Sequence, residues 1–371
     1  MLPIDPTRRP ELGDDDLAVR PLTRAETIPS AWYTDPRFHA LDAQAVFRTT
    51  WQAVGHAAEA AEPGAHFVAE RAGDPLLLVR GDDRVLRGFY NVCRHRGGPL
   101  ATGPGCSRAL RCGYHGWTYA LDGTLRGVPH FDRVELFDRR SYGLAPVPVE
   151  EWNGLIFVHL GEPDAGPGVR FADIPTRIAP TDLTALGFAR RVSYDVGCNW
   201  KVYVDNYLEA YHVPFVHPEL FKLYDFPQYT TEVAGEYSVQ SSPLTPEENL
   251  YSSGGGDAWY FFLFPNLMLN ILPGRLQTNL VLPTGPESCR VVFDYFYADG
   301  ESPRARRLID ADVAFSDEVQ QEDIRICEHV QRGLRSRAYD RGRFSVDQEV
   351  AVHHFQGLLR ERYGRWKAET G

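Results

Sequence analysis

Two short stretches, NVCRHRG around Cys93 and His95 and RCGYHGW around Cys112 and His115, each carry one thiol and one imidazole within a few residues of chain. Together they read C-x-H-x16-C-x-x-H. Thiolates and neutral imidazoles are metal ligands, and a structural zinc held by two Cys and two His is one reading of the set. Zinc fingers take their cysteines as one chelating pair and their histidines as another, whereas each loop here supplies one of each. That mixed supply suits a [2Fe-2S] cluster with two chemically different irons, both cysteines on one and both histidines on the other. Neutral imidazoles in place of two thiolates make such a cluster less negative and easier to reduce, so its work is electron relay and any bond-making belongs elsewhere in the chain. Cys106 lies in the intervening loop and fits no ligand position.

A second constellation falls in NWKVYVDNYLEAYHVPFVHP, where His212 and His217 stand five apart with carboxylates just upstream. On an unbroken helix these two rings would diverge, but Pro214 disturbs the path and lets the second swing in from the next turn. Two hydrogen-bonded core histidines are the alternative. Two histidines and one carboxylate on one face of Fe(II), with the opposite positions open, form the facial triad of non-haem oxygenases. The helical run LIDADVAFSDEVQQEDIRICEHVQRGL offers the third ligand: Leu308, Phe315, Val319, Ile326, Cys327 and Val330 share an apolar stripe, and Asp323 falls inside it. A carboxylate buried there needs a partner, and Arg325 projects to another side. Asp312 shares the stripe but sits nearer the helix start. Glu209, three residues before His212 on the same helical face, is either a solvated charge or a hydrogen-bond partner of the metal histidine able to relay electrons. Asp205 is the next carboxylate along the same run that could serve that bridge.

These residues need elements to hold them. The chain has 371 residues, more than one hydrophobic core usually organises, so two domains, or one large domain carrying an insertion, are expected. From residue 45 to 160, short apolar runs (HFVAE, PLLLVRGDDRVLRGFYNV, WTYALDGTL, NGLIFVHL) alternate with turn signals at Gly81-Asp82-Asp83 and Asp122-Gly123, which predicts antiparallel β structure with both Cys/His pairs in loops beside hairpins. GEPDAGPGVRFADIP reads as a linker. Beyond it, strands are predicted at RRVSYDV, AWYFFLFP, LMLNIL, TNLVLP and CRVVFDYFY, and helices near 200–212, 303–335 and the C-terminus. The fold class is therefore α+β: a small all-β domain at 45–160, a larger domain at 161–371 with an antiparallel sheet flanked by helices, and an N-terminal segment, 1–44, packing on the larger domain. A net charge of -11 argues against a nucleic-acid partner. No apolar run approaches membrane-spanning length and no signal peptide is legible, so a cytoplasmic protein with no membrane partner is expected. Six irregularly spaced cysteines do not make a disulfide framework.

With these residues in view, the chain resembles the large (alpha) subunit of Rieske non-haem iron oxygenases over nearly its whole length, and within that family the group acting on choline, carnitine and glycine betaine. The resemblance rests on the Cys/His loops, on NWKVYVDNYLEAYHVPFVHP, on TNLVLPTGP with VVFDYF, and on QEDIRICEHVQRGLRSRAYDRGRFS with a downstream HHF. It implies Cys93, His95, Cys112 and His115 on a Rieske [2Fe-2S] cluster, His212, His217 and Asp323 on a mononuclear Fe(II), and Glu209 between the sites. It also implies a homotrimer in which one subunit's cluster feeds its neighbour's iron, served by an NAD(P)H-dependent flavin/iron-sulfur reductase or a ferredoxin. The E-A-Y-H spacing is closer to the bacterial carnitine-type enzymes than to choline monooxygenase, which carries an extra residue there and Asp in place of Glu.

The expected activity is O₂-dependent hydroxylation of a small quaternary ammonium compound, with dealkylation or an aldehyde following where the carbinol is unstable; an aromatic-ring hydroxylating dioxygenase is the alternative. A quaternary ammonium is best held by aromatic faces. Trp259, Tyr260, Phe261, Phe262 and Phe264 crowd one predicted strand, where alternation lets at most half of them line a pocket and an ordinary aromatic core is the other reading.

Overall fold

The computed structural model describes residues 8–245 and 256–370, so the first seven residues of the N-terminal segment lie outside the described residues. The chain divides into two compact units, Phe47–Ala172 and a second formed by the segment up to Val46 together with the chain from Asp173 onward.

The first unit is all β apart from short helical turns. Strand β11 (Leu155–His159) pairs with β1 (Trp51–His56) on one side and β10 (Val149–Trp152) on the other; β2 (Ala65–Arg71), β3 (Asp74–Arg80) and β4 (Leu86–Tyr90) form a meander extended by β5 (Gly105–Cys106) and β9 (Pro146–Val147); β6 (Leu110–Arg111), β7 (Thr118–Tyr119) and β8 (Leu125–Gly127) form a third small sheet. Strand β3 reads PLLLVR and is central, with Leu76, Leu77, Leu78 and Val79 all buried, as a strand covered on both faces should be. The predicted hairpins at 81–83 and 122–123 both form; Gly123 takes φ +85° in its turn, where a side chain would also collide with the Phe89 ring.

The second unit is built on one seven-stranded antiparallel sheet in the order β12-β18-β17-β16-β15-β14-β13, comprising β12 (Gly187–Val196), β13 (Thr230–Ala234), β14 (Tyr237–Pro243), β15 (Asp257–Leu263), β16 (Leu267–Leu272), β17 (Arg275–Gly285) and β18 (Ser288–Tyr297). The β13–β14 hairpin was not legible as strands. Three helices matter for the site: α1 (Trp200–Tyr207), α2 (Pro303–Leu334) and α3 (Val350–Thr370). Asn199 caps α1 by accepting a hydrogen bond from the Lys201 N–H, and Ser302 caps α2 from the Ala305 N–H, with Pro303 in the first turn.

Helix α2 buries Ala305, Ile309, Asp312, Gln320, Cys327, Gln331 and Leu334, a three-and-four spacing that marks one face. The expected stripe is corrected at its edges: Leu308 and Val330 are exposed. Polar side chains take part of that face because each finds a partner across it. Gln320 accepts from the Tyr203 hydroxyl, Gln331 accepts from the Asn199 N–H, and Asp312 pairs with Arg275 at 2.5 Å. The N-terminal segment is held to α1 and α3 by buried polar contacts: Lys201, fully buried, pairs with Asp42, and the Tyr33 hydroxyl donates to Asp205.

Candidate active site

The two Cys/His loops share one backbone design. In the first, the Cys93 N–H donates to the Gly98 carbonyl and the Gly97 N–H to the Cys93 carbonyl; in the second, Cys112 N–H donates to Trp117 and Gly116 N–H to Cys112. Gly97 and Gly116 hold equivalent positions at φ +75° and +74°, the left-handed conformation that glycine adopts without strain. Both cysteines are free and buried. The His95 and His115 rings approach to 4.6 Å, and Trp117 stacks on His95 at 4.9 Å. Burial, with help from His115 and Arg96, lowers the pKa of His95, favouring the neutral imidazole a metal binds.

These residues fit a two-iron cluster. His95 Nδ1 is buried without a hydrogen-bond partner among the described residues, and a Cβ on Gly98 would stand 3.0 Å from the Cys112 sulfur, so the space between the loops is kept clear. A single tetrahedral zinc would draw all four donor atoms together at bond lengths of about 2.0–2.3 Å. Among the described residues, however, only His212, His217 and Asp323 bring three donor atoms within 4.8 Å of one another. The Tyr119 hydroxyl lies 3.3 Å from the Cys93 sulfur and accepts the Arg94 N–H.

The second site is assembled where α1 ends. The helix stops at Tyr207, so Glu209 does not share a helical face with His212 as expected; it lies in the connection that follows. Its carboxylate nevertheless accepts the His212 N–H at 3.0 Å and sits 2.6 Å from His212 Nδ1. His212 and His217 flank the single helical turn Val213–Val216, with Pro214 in its first turn, and their rings stand 5.1 Å apart. With the preceding helix ended at Tyr207 and Pro214 in the first turn of a new one, i and i+5 come together across that single turn. Asp323 arrives from α2: its Oδ1 lies 3.0 Å from His217 Nε2 and 3.8 Å from His212 Nε2, and accepts from Asn206 Nδ2 at 2.7 Å.

A cavity opens on these three residues, lined among others by Tyr203, Tyr207, Tyr224, Phe226, Tyr229 and Tyr260. Of the aromatic run on β15 only Tyr260 reaches it; Phe262 and Phe264 pack on Phe355, and Trp259 stacks with Phe261. The core reading therefore holds for Phe261, Phe262 and Phe264, while Trp259 is half-buried.

Residues 50–138 match the Rieske [2Fe-2S] domain family, and residues 183–365 match the ring hydroxylating alpha subunit (catalytic domain) family. The chain is 36% identical over 353 residues to a choline monooxygenase of Arabidopsis thaliana, covering 91% of this chain and 83% of that one. This chain belongs to the Rieske non-haem iron oxygenases. It is also 32% identical over 357 residues to the carnitine monooxygenase oxygenase subunit of Escherichia coli, covering 90% of this chain and 93% of that protein. A solved quaternary ammonium Rieske monooxygenase superposes with a TM-score of 0.84 at 29% identity, covering 91% of this chain and 95% of the other.

As an alpha subunit of this family the protein is an oxidoreductase with a Rieske [2Fe-2S] cluster in the first unit and a mononuclear iron in the second, working with a separate electron-transfer partner. No helix among the described residues is long and apolar enough to cross a membrane.

The structure brings together Glu209, His212, His217 and Asp323 and leaves two other carboxylates out. Asp205 is absent from the cavity wall; it is packed, half-buried, between α1, α3 and the N-terminal segment, bonded by Tyr33 and Gln356. Asp312 is committed to Arg275 and to the Tyr297 hydroxyl. Sequence reading missed Glu322, whose carboxylate lies 2.7 Å from His217 Nδ1. In the sequence it is one acid in a polar helix run, with nothing to separate it from a solvated face. Asn206, which steadies Asp323, was equally silent. Burial lowers the pKa of His217, but the hydrogen bonds to and charges of Asp323 and Glu322 outweigh it, and the net shift is upward.

Proposed function

We propose that this oxygenase hydroxylates a small quaternary ammonium compound of the choline, carnitine or glycine betaine type, drawing electrons from an NAD(P)H-dependent flavin/iron-sulfur reductase or a ferredoxin. The observation that carries the reading is the cavity wall of tyrosines and Phe226 beside the His212–His217–Asp323 set. A nitrogen bearing four carbons offers no N–H, so aromatic faces are the means of holding it. The names of the relatives, a choline and a carnitine monooxygenase, support the same substrate class.

His212, His217 and Asp323 are the iron ligands in this reading, Cys93 and Cys112 hold one cluster iron, and His95 and His115 the other. When bound, the iron supplies O₂ activation and the cluster supplies electrons. The protein's own part is orientation. Glu209 and Glu322 each lie within hydrogen-bond distance of a histidine Nδ1 and would hold the proton there, which would leave both Nε2 atoms, on the Asp323 side, to hold the metal, while Asn206 fixes that carboxylate. Glu209 is also the residue best placed to reach a neighbouring subunit's His115 in a homotrimer, its carboxylate being 14% exposed beside His212.

The deciding experiment is a substrate panel of quaternary ammonium compounds and arenes with a generic reductase, read by product mass. Oxygenated or dealkylated ammonium products support the reading. Arene cis-diols with no ammonium turnover would reassign the protein as an aromatic-ring dioxygenase.

A further inference from the structure

Within the same cavity, one side chain has its orientation dictated by chemistry. Arg275, Gln277 and Asn279 alternate along β17 and so share a face, and all three line the cavity. Arg275 can only donate. Its Nη2 gives a hydrogen bond to Gln277 Oε1 at 2.5 Å, while its Nε is held by Asp312. With its oxygen taken, Gln277 must turn its amide nitrogen onward, and it donates to Asn279 Oδ1 at 2.7 Å. Asn279 must then present Nδ2, a pure donor, to the cavity. Asn279 is 4% exposed, and among the described residues no acceptor is paired with that nitrogen.

Gln320 is a second fixed donor on the wall, its Oε1 taken by the Tyr203 hydroxyl and its Nε2 buried with no acceptor among the described residues, but it stands on α2 outside the Arg275–Gln277–Asn279 chain. The other nearby amides are not fixed in this way. Asn270 meets the Tyr207 hydroxyl, which could equally accept if it donated instead to the Phe261 carbonyl; Gln240 is used at both ends, by Tyr229 and by the Tyr207 carbonyl.

Helix α2 gives the depth of this donor. Asp312 lies beside Arg275 and Ser316 beside Gln277, so strand and helix advance together. Asn279, two residues further on, comes level with the turn around Val319 and Gln320, about one helical pitch (~5 Å) short of Asp323. Tyr260 sits one step further from the metal residues, on the rung Tyr260–Asn270–Gln277. A ligand whose cation rests on the Tyr260 part of the aromatic wall therefore has Asn279 within reach of an acceptor atom. Arg275 is the one Lys or Arg among the described lining residues, and buried Asp312 matches its charge. The cavity thus offers an oxygen a neutral donor and no unbalanced cation.

We propose that Asn279, locked donor-inward by the Asp312–Arg275–Gln277 chain, binds an uncharged oxygen of the substrate. This selects quaternary ammonium alcohols and ethers over oxygen-free ammonium ions and over betaines. The inference rests on the substrate class proposed above and narrows it.

The test uses the holoenzyme with a reductase and four probes: choline, O-methylcholine, n-propyltrimethylammonium and glycine betaine. Each is followed by product mass and by kcat/KM. The wild type should favour choline and O-methylcholine over the other two by roughly 10- to 100-fold. Asn279→Leu should level choline with n-propyltrimethylammonium. Gln277→Glu is the sharper variant, since its second carboxylate oxygen would take the Asn279 Nδ2 hydrogen and turn Oδ1 to the cavity. Choline, whose hydroxyl can donate, should then survive, while O-methylcholine, an acceptor only, should fall by about tenfold or more. Unchanged visible spectra and iron content would show that both variants are assembled. Equal wild-type turnover of all four probes, or an equal loss for choline and O-methylcholine in Gln277→Glu, overturns the inference while leaving the substrate class standing. Turnover of none of the four overturns both.

Discussion

The cluster loops and the iron residues achieve the same end, histidines held for a metal, on opposite plans. Each cluster loop closes on itself: Cys93 bonds Gly97 and Gly98, Cys112 bonds Gly116 and Trp117, and a left-handed glycine completes each turn. The iron set closes only through the tertiary fold, since His217 meets Asp323 across 106 positions of chain. A site made of local turns depends on residue identity at fixed spacing. A convergent site depends also on the register of the helix that delivers its last member, since a one-residue slip of α2 would rotate Asp323 by about 100°.

The largest effect should come from breaking the local site. Cys112→Ser is expected to abolish the brown colour and the Rieske electron paramagnetic signal while the second unit keeps its iron, so metal content falls from about three irons per chain to about one. A coloured variant, or loss of all iron, would contradict the independence of the two plans. The mirror experiment is Asp323→Ala: about one iron per chain should be lost, together with turnover, and the visible spectrum should be retained. Asp312→Ala should leave iron content unchanged, because that carboxylate belongs to Arg275 and Tyr297.

The contrast explains what could be read from the chain. Both Cys/His loops, their hairpins and most strands were legible because spacing and alternation are local properties. His212 and His217 were legible through Pro214, and Asp323 as a carboxylate inside an apolar stripe. The same stripe argument misplaced Leu308 and Val330, which lie beside buried Ile309 and Gln331 but on the rim of the buried face, where they meet solvent. Glu209 was identified for its nearness to His212 but set on a helix that ends at Tyr207. Glu322 and Asn206 carry no local mark; what selects them is the arrival of another element, and no periodicity records that. The β13–β14 hairpin was missed because TTEVAGEYSVQ alternates weakly and its first strand is largely exposed.

Intermediate effects should come from the residues that support each metal. Glu209→Gln and Glu322→Gln keep side-chain size but remove the charge that holds a histidine proton. For Glu322→Gln, iron affinity or turnover should fall by roughly 10- to 100-fold. In Glu209→Gln both metals should remain; the cluster should reduce normally with a chemical reductant and then reoxidise slowly in a single turnover with substrate and O₂. Wild-type reoxidation would remove Glu209 from the electron path. On the cluster side, Tyr119→Phe deletes the hydroxyl beside the Cys93 sulfur. A lost hydrogen bond to sulfur destabilises the reduced cluster, so the reduction potential should drop by an amount on the order of tens of millivolts, measurable by redox titration.

The smallest effect concerns Asp205, which lies near the iron residues in sequence and apart from the cavity in space. Burial raises its pKa to about 7, against the opposing hydrogen bonds from Tyr33 and Gln356. In the unfolded chain an aspartate titrates near 3.9. Between these values the native state binds the proton and the unfolded state does not, so stability falls as pH rises through that window and levels off above about 7. Below about pH 4 both states hold the proton and the contribution is complete. Asp205→Asn mimics the protonated form and keeps an oxygen for the Tyr33 hydroxyl. The variant should therefore lose less thermal stability than the wild type on going from pH 5 to pH 8, with a difference in the Tm change of roughly a few degrees. Substrate turnover at pH 6 should be little altered. Equal pH dependence in the two proteins would show that Asp205 is ionised in the native fold throughout this range. A turnover defect matching that of Glu209→Gln would instead place Asp205 on the electron path between subunits.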